Sequence, residues 1–368
     1  MKPATLVALA RLQATLLKAA RRDRFAPPKV TAILTEHCHL HCQFCHLWND
    51  PREGAPLEDW LRFFASNRHL CWVNLSGGEV FVKSRFEDLL DGLVGALPEL
   101  ALLDFPTAGQ RPDTILCIVE KLLCTRLPLL SVTVSIDGGP AIHDRLRGVD
   151  GAFERALETY SRLREIGNSR FVTRVGCTLT AHAREQVDSL TTALKDRLRG
   201  FSDQELHFNL AHHSSHYYKN GGFDDLPGED ALRILEERRN SWSPIGWIEW
   251  TYSRLARRAL AEGFPPMGCV AIDKTVFVAP DLTVHPCSIW DRPLGNLRDH
   301  AYSLSRLLER DEARAARAEV DRRLCPGCMT PCEAVPALLA RPIFSTIQAL
   351  RARHASSRAS LPASVAAS

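Results

Sequence analysis

The stretch Cys38-His39-Leu40-His41-Cys42-Gln43-Phe44-Cys45 sets three thiols in a C-x3-C-x2-C spacing. It follows directly on the apolar run Val30 to Leu34, which reads as a β-strand. Thiolates are soft ligands that suit zinc or the iron of an iron–sulfur cluster. Three of them leave one metal position open, and an open position is where a substrate or cofactor binds. His37, His39, His41 and His46 stand near enough in sequence to complete a zinc site instead. Three unrelated core cysteines are the plainest alternative.

Outward from this octet the chain alternates between two periodicities. Runs at 30–34, 71–75, 102–105, 130–136, 171–179 and 205–210 read as strands. Amphipathic stretches at 57–66, 86–97, 113–124, 153–166 and 184–198 read as the helices between them. Six βα units predict a parallel sheet with helices on its outer face. Right-handed crossovers curl such a sheet, and six strands leave open the barrel that eight would close. The expected fold class is therefore α/β, a partial (βα)6 barrel with its active site at the C-terminal strand ends. The cysteine octet sits at that end of the first strand.

Two other strand ends carry notable residues. The second runs into Ser76-Gly77-Gly78-Glu79, where glycines let a ligand approach the backbone closely, although a tight turn explains them equally. The fourth ends in Ser135-Ile136-Asp137, followed by His143, Asp144, Arg147 and Gly148, for which local loop hydrogen bonding is the plain reading. After the sixth strand, His212, His213, His216, Tyr217 and Tyr218 form a polar, aromatic rim that reads as a substrate-facing loop. Asn220-Gly221-Gly222 marks a boundary. Two helical stretches and a hairpin at 274–286 follow. Cys269 and Cys287 flank the hairpin, and Cys325-Pro-Gly-Cys328-Met-Thr-Pro-Cys332 comes later. Four thiolates are the full set for a closed cluster or for a structural zinc.

These motifs together resemble the radical SAM superfamily, in the form that carries a C-terminal SPASM or twitch extension. The octet with its Phe44 resembles the cluster motif, and Gly77-Gly78-Glu79 stands where that family's Gly-Gly-Glu does. The Ser135-to-Gly148 run and the Asp281-x3-His285-Pro286-Cys287 turn resemble further segments of such enzymes. The likeness spans about residues 29–342. It implies a small α+β twitch/SPASM-like domain with a β-hairpin after the barrel. It also implies a [4Fe–4S] cluster on Cys38, Cys42 and Cys45 whose open iron binds S-adenosylmethionine (SAM). Phe44, Ser76, Gly77, Gly78, Glu79, Ser135 and Asp137 would line the SAM site. Five C-terminal cysteines, against the seven of a full SPASM domain, imply the twitch form with one auxiliary [4Fe–4S] cluster. Its ligands would be Cys269, Cys287, Cys325 and Cys328, with Cys332 as a substitute for Cys328 or a fifth thiol.

The implied reaction is reductive cleavage of SAM to a 5′-deoxyadenosyl radical that abstracts hydrogen from a substrate carbon. Net oxidation of a small metabolite or a peptide side chain is the leading outcome. A redox-neutral epimerase or carbon–carbon bond-forming enzyme is the alternative, and a non-enzymatic iron–sulfur or zinc protein is a third reading. A reducing partner of the flavodoxin or ferredoxin kind is implied as well.

Composition narrows the rest. Among 368 residues 45% are hydrophobic and 24% charged, ordinary for a globular enzyme, and the net charge of +3 has no basic stripe to suggest nucleic acid. Eight of the twelve cysteines fall in the clusters above, a pattern of metal ligation in a reducing cytoplasm rather than of disulfides. The other four, Cys71, Cys117, Cys124 and Cys177, read as core. Residues 4–24 read as an amphipathic helix packed outside the main domain, with Lys18, Arg21, Arg22 and Arg24 near its end; a membrane foothold is the lesser reading. The expected order is a helix to 28, the barrel at 29–225, a helical connection at 226–263, the auxiliary domain at 264–342 and a helix end with a disordered tail at 343–368.

Overall fold

The computed structural model describes residues 3–19, 26–238 and 243–352. Nine strands make one continuous sheet. They are β1 (Lys29–Ile33), β2 (Trp72–Ser76), β3 (Leu102–Thr107), β4 (Leu130–Ser135) and β5 (Phe171–Leu179). The remaining four are β6 (Leu206–Leu210), β7 (Thr275–Val278), β8 (Thr283–His285) and β9 (Gly295–Asn296). Their order in space is β6-β5-β4-β3-β2-β1-β7-β8-β9. All neighbours from β6 to β7 pair in parallel, and β8 and β9 then turn back antiparallel. The unclosed α/β barrel expected from the βα alternation is present. The hairpin is not detached from it, because Thr31 pairs with Phe277 of β7 on one side and Asn74 of β2 on the other.

Alternation along the strands decides what each face does. Val30, Val73, Leu103, Phe105, Val132, Val134 and Val175 point outward into the main core beneath the helices. Residues in between face the lumen, and many are polar. Registered pairing sets Thr31, Asn74, Asp104 and Ser131 side by side, and Thr133 beside Arg174. A closed eight-stranded barrel fills its middle with branched apolar side chains. This one keeps a cavity of about 270 Å3 there.

Helices cover the barrel's open parts. Ile245 and Ile248 of the helix Pro244–Glu262, and Cys332, Val335 and Leu339 of the helix Pro331–Ala340, line the lumen. Ser243 caps the first of these through Gly246 N–H at 2.9 Å, with Pro244 in its first turn. The N-terminal helix runs over Pro3–Ala19. Its Leu12 and Leu16 are buried against Trp72, Leu102 and Leu129, at the N-terminal ends of β2 to β4. It thus stoppers the barrel floor rather than lying on the outer helix layer. Arg21, Arg22 and Arg24, and the tail from 353, lie outside the described residues.

Other expectations shift. Beyond the hairpin come the helices Leu304–Leu308, Asp311–Asp321 and Pro342–Ala352. Cys71 and Cys177 are buried, whereas Cys117 and Cys124 are exposed. Their seven-residue spacing does put both on one face of the helix Pro112–Leu123 and its cap, but on the outward one. No described helix is long and apolar enough to cross a membrane.

Candidate active site

The octet forms an irregular loop at the C-terminal end of β1, held by the chain around it. His41 N–H and Gln43 N–H donate to the carbonyls of Arg147 and Leu146, each at 2.9 Å, using the free last turn of the helix Pro140–Arg147. Gly148 ends that helix at φ 68°, and a Cβ there would lie 2.5 Å from the His41 carbonyl oxygen. Leu40, Phe44, Ile142, Leu146 and Phe223 make an apolar shell around the three thiols. Burial, then in part the neighbouring thiols, pushes Cys38 and Cys45 up to about 12. A cationic cluster is what makes three thiolates favourable in such a place. Leu40 N–H meets Cys38 Sγ at 3.4 Å, and Arg147 Nη1 meets Cys42 Sγ at 3.6 Å, so donors already face the sulfurs. The nearby histidines turn elsewhere: His37 to Glu53 at 3.2 Å, His46 to the Gln43 carbonyl, His41 onto the Trp48 ring, and His39 into solvent. The donor set suits an iron–sulfur cluster with one open iron.

Gly77 and Gly78 bring β2 against this loop. Gly78 N–H donates to the Thr35 carbonyl and Glu79 N–H to that of His37, at 2.9 and 2.8 Å. A Cβ on Gly78 would fall 2.3 Å from the His37 carbonyl oxygen, and one on Gly77 the same distance from that of Thr35. The close approach that these glycines permit is first of all that of the cysteine loop's own backbone. Glu79 is 3% exposed and accepts from Ala108 N–H at 2.7 Å and Thr107 Oγ1 at 3.0 Å. Its carboxyl, raised by burial, ties β2 to β3.

Asp137 is 0% exposed, with one oxygen taken by Arg147 Nε at 2.5 Å and the other by Thr178 N–H at 2.8 Å. Sequence reading had set it beside SAM. The structure uses it to hold Arg147 against Cys42 and over the Phe44 ring. His143 accepts from Asp137 N–H, and Asp144 caps Gly151 and Phe153, as local loop bonding requires. Ser76 and Ser135 do line the lumen.

The second thiol group surrounds a cavity of about 240 Å3 lined by Cys269, Cys287, Cys325, Cys328 and Trp290. Ala271 N–H meets Cys269 Sγ and Trp290 N–H meets Cys287 Sγ, both at 3.4 Å. Four thiols with such donors suit a closed cluster. Cys332 is not among the lining residues. Its thiol faces the barrel lumen, with Lys29, Glu333 and Asp104 as its charged neighbours. It thus stands outside the lining of the four-thiol cavity, where the resemblance had it substitute for Cys328 or add a fifth thiol.

The loop after β6, read as facing substrate, sets Tyr217 and Tyr218 at the lumen and also braces the two thiol groups. Asn220 accepts from Ser214 N–H and donates to the Phe44 and His212 carbonyls. His212 accepts from Met329 N–H at 3.3 Å, His216 donates to the Cys287 carbonyl, and Tyr217 and Ser76 share a hydroxyl hydrogen bond of 2.9 Å. Glu36, just before the octet, is likewise buried. Burial works against its charge, yet Arg52 and Lys219, at 2.6 and 2.7 Å, hold it below the usual carboxylate range. Neither brace has a sequence signature, because each joins segments far apart in the chain.

Deeper in the lumen, Lys29 Nζ donates to Thr31 Oγ1 and to the Cys332 carbonyl at 3.1 and 2.7 Å and lies over Trp72. Asp104 accepts from Trp72 and Asn74, and burial raises its carboxyl. Glu249 pairs with Arg174 and His207; burial opposes its charge, but those two hold it well below the ordinary range.

The same layout recurs in solved structures. Structures titled "Native anSMEcpe with bound AdoMet" and "Native anSMEcpe with bound AdoMet and Cp18Cys peptide" superpose with TM-scores of 0.57 and 0.56. Each alignment covers 89% of this chain and 97% of the neighbour at 16% identity. The chain shares the fold of these AdoMet-bound structures. A curated relative, the sporulation killing factor maturation protein SkfB of Bacillus subtilis (strain 168), is 24% identical over 283 residues. That match takes in 75% of this chain but 63% of the relative, so the chain spans under two thirds of SkfB's length. No family model matches the sequence.

Proposed function

We propose that the chain is a radical SAM enzyme that abstracts hydrogen from a carbon of a peptide substrate. The observation that carries this is the three-thiol loop at the C-terminal end of β1, beside a ligand-sized lumen that carries polar side chains, in a fold shared with SAM-bound neighbours. A [4Fe–4S] cluster on Cys38, Cys42 and Cys45 would bind SAM and supply the 5′-deoxyadenosyl radical. The chain's own part is to hold and dry the site. Arg147, fixed by Asp137, faces the thiol of Cys42, and the Phe44–Phe223 shell excludes water. Ser76 and Ser135 offer hydroxyls at the lumen rim, and Lys29, Asp104, Arg174 and His207 offer charge and hydrogen bonds below it.

A peptide is favoured over a small metabolite by what the similar proteins handle. One neighbour is titled with a bound Cp18Cys peptide, and SkfB is named for maturation of a killing factor. The four-thiol cavity would hold an auxiliary cluster that can take a second electron, which suits net oxidation. A redox-neutral outcome has one observation in its favour, the lumen thiol of Cys332. The test is formation of 5′-deoxyadenosine from SAM by the reconstituted, reduced protein. It should be lost in the Cys38→Ala, Cys42→Ala, Cys45→Ala triple variant, and its persistence there would overturn the assignment.

A further inference from the structure

His216 on the loop after β6, His285 at the end of β8 and Asp291 beyond it each present a ligand atom within 4.8 Å of the other two. Hydrogen bonds around them settle where the protons are. His216 Nε2–H donates to the Cys287 carbonyl at 3.1 Å, so Nδ1 of that ring is a lone pair. The hydroxyl beside this nitrogen, Ser214 Oγ at 3.4 Å, turns its proton to the Ser288 carbonyl at 2.6 Å and accepts from Tyr217 N–H. It therefore has no proton for His216 Nδ1. His285 is 5% exposed, and its Nδ1 is buried with no hydrogen-bond partner, 3.7 Å from Asp291 Oδ1. The other oxygen of Asp291, Oδ2, accepts from Ser215 Oγ at 3.0 Å, which leaves Oδ1 toward the rings.

A ring N–H held by a backbone carbonyl is how ligand histidines are oriented, and a hydroxyl on the far oxygen does the same for a carboxylate. We propose that His216, His285 and Asp291 bind one divalent transition-metal cation of the zinc class, with water in the fourth position. Two nitrogens and one oxygen suit such an ion, whereas magnesium and calcium take oxygen donors. The two rings stack, with centroids 4.4 Å apart and planes 14° from parallel. A cation lies near the plane of each imidazole it binds, so loading tilts His216, the more exposed ring, out of the stack. Ligand atoms of a tetrahedral zinc stand about 3.3 Å apart, so the trio closes in by up to about 1.5 Å. Of the charges that act on His285, Asp291 and Asp281 favour the cation; Arg52 opposes it but is already bound to Glu36 at 2.6 Å. The ion would clasp the loop after β6 to the turn that carries Cys287. It would thereby steady Tyr217, whose hydroxyl meets Ser76 at the lumen. None of this depends on the radical reading of the three-thiol loop.

The probe is zinc itself, added as its chloride to the iron-reconstituted chain under anaerobic dialysis, with zinc and iron both counted by elemental analysis. Wild type should gain one zinc per chain with its iron unchanged. Zinc K-edge X-ray absorption should then show nitrogen and oxygen neighbours at about 2.0–2.1 Å and no sulfur at about 2.3 Å. Asp291→Asn changes a side chain that is 47% exposed, so the buried packing stays as it is while the ligand charge goes. Ser215→Ala removes only the hydroxyl that orients Asp291, and should weaken zinc binding about 10- to 100-fold. Asp291→Asn should weaken it at least as much, and His285→Gln should do the same. Excess magnesium should not compete. Zinc gained only as iron is lost, or a sulfur shell around it, would put the ion on the cysteines and overturn the proposal. So would failure of wild type to take up zinc, displacement by magnesium, or equal zinc affinity in wild type and Asp291→Asn.

Discussion

Single residues around the octet act mainly on one another. Gly78 stands closer to the backbone of Glu36 and His37 than any side chain could, at 2.3 to 2.5 Å from their carbonyl oxygens to a built Cβ. Gly78→Val should therefore displace the segment leading into Cys38 and lower iron at the three-cysteine site as well as SAM binding. Iron analysis and SAM titration of the variant separate the cases. Full iron with weakened SAM binding would show that the space belongs to the ligand. The Asp137–Arg147 pair works in the same way, as a buried charge pair whose second partner is a cluster-site sulfur. Both oxygens of Asp137 are engaged within the chain, one by Arg147 Nε and the other by Thr178 N–H.

Among the elements, the N-terminal helix shows how amphipathicity alone leaves a helix unplaced. Its leucines at 12 and 16 are 1% and 0% exposed, while Leu6, Val7 and Leu17 remain exposed on its other sides. The buried pair meets Trp72, Leu102 and Leu129 at the barrel floor. Leu16→Ala should cost about 2–5 kcal/mol, the range for emptying a buried leucine site. Urea unfolding followed by circular dichroism would measure it. A loss under about 0.5 kcal/mol, the scale of surface changes, would mean that the helix is not docked. The helix Pro331–Ala340 carries more consequence: starting it at Pro331 turns Cys332 inward, away from the pocket that receives Cys325 and Cys328.

At the scale of the whole molecule, stability should depend on pH through buried neutral histidines. Burial, and then the charge of Arg147, lowers His143 to about 4; burial likewise lowers His212 to about 4. In the unfolded chain a histidine titrates near 6.5. The unfolded state thus binds more protons between those values. Stability is fully present above about 6.5 and falls as pH drops toward about 4, by up to about 1.4 kcal/mol per pH unit for each histidine. Urea midpoints between pH 4 and 7 should follow this slope, and His143→Asn should flatten it. Identical slopes for the two proteins would remove His143 from the account.

What the sequence determined by itself was local or periodic. The βα alternation carried the open barrel, since strand and helix periods are written in adjacent residues, and the C-x3-C-x2-C octet placed three thiols on one loop because eight residues cannot spread far. The four pocket cysteines were legible as a pair flanking a hairpin and a later C-x2-C pair. Only the tertiary structure decided what each face meets. It made Gly78 a contact for the chain's own backbone, Asp137 a support for Arg147, and the loop after β6 a brace between Phe44 and Cys287. It joined the hairpin to β1, turned Cys117 and Cys124 outward, and separated Cys332 from the thiols four and seven residues before it. These outcomes depend on contacts between distant segments, where a one-residue change of helix start or a choice of face reverses the neighbour, and no spacing along the chain records that choice.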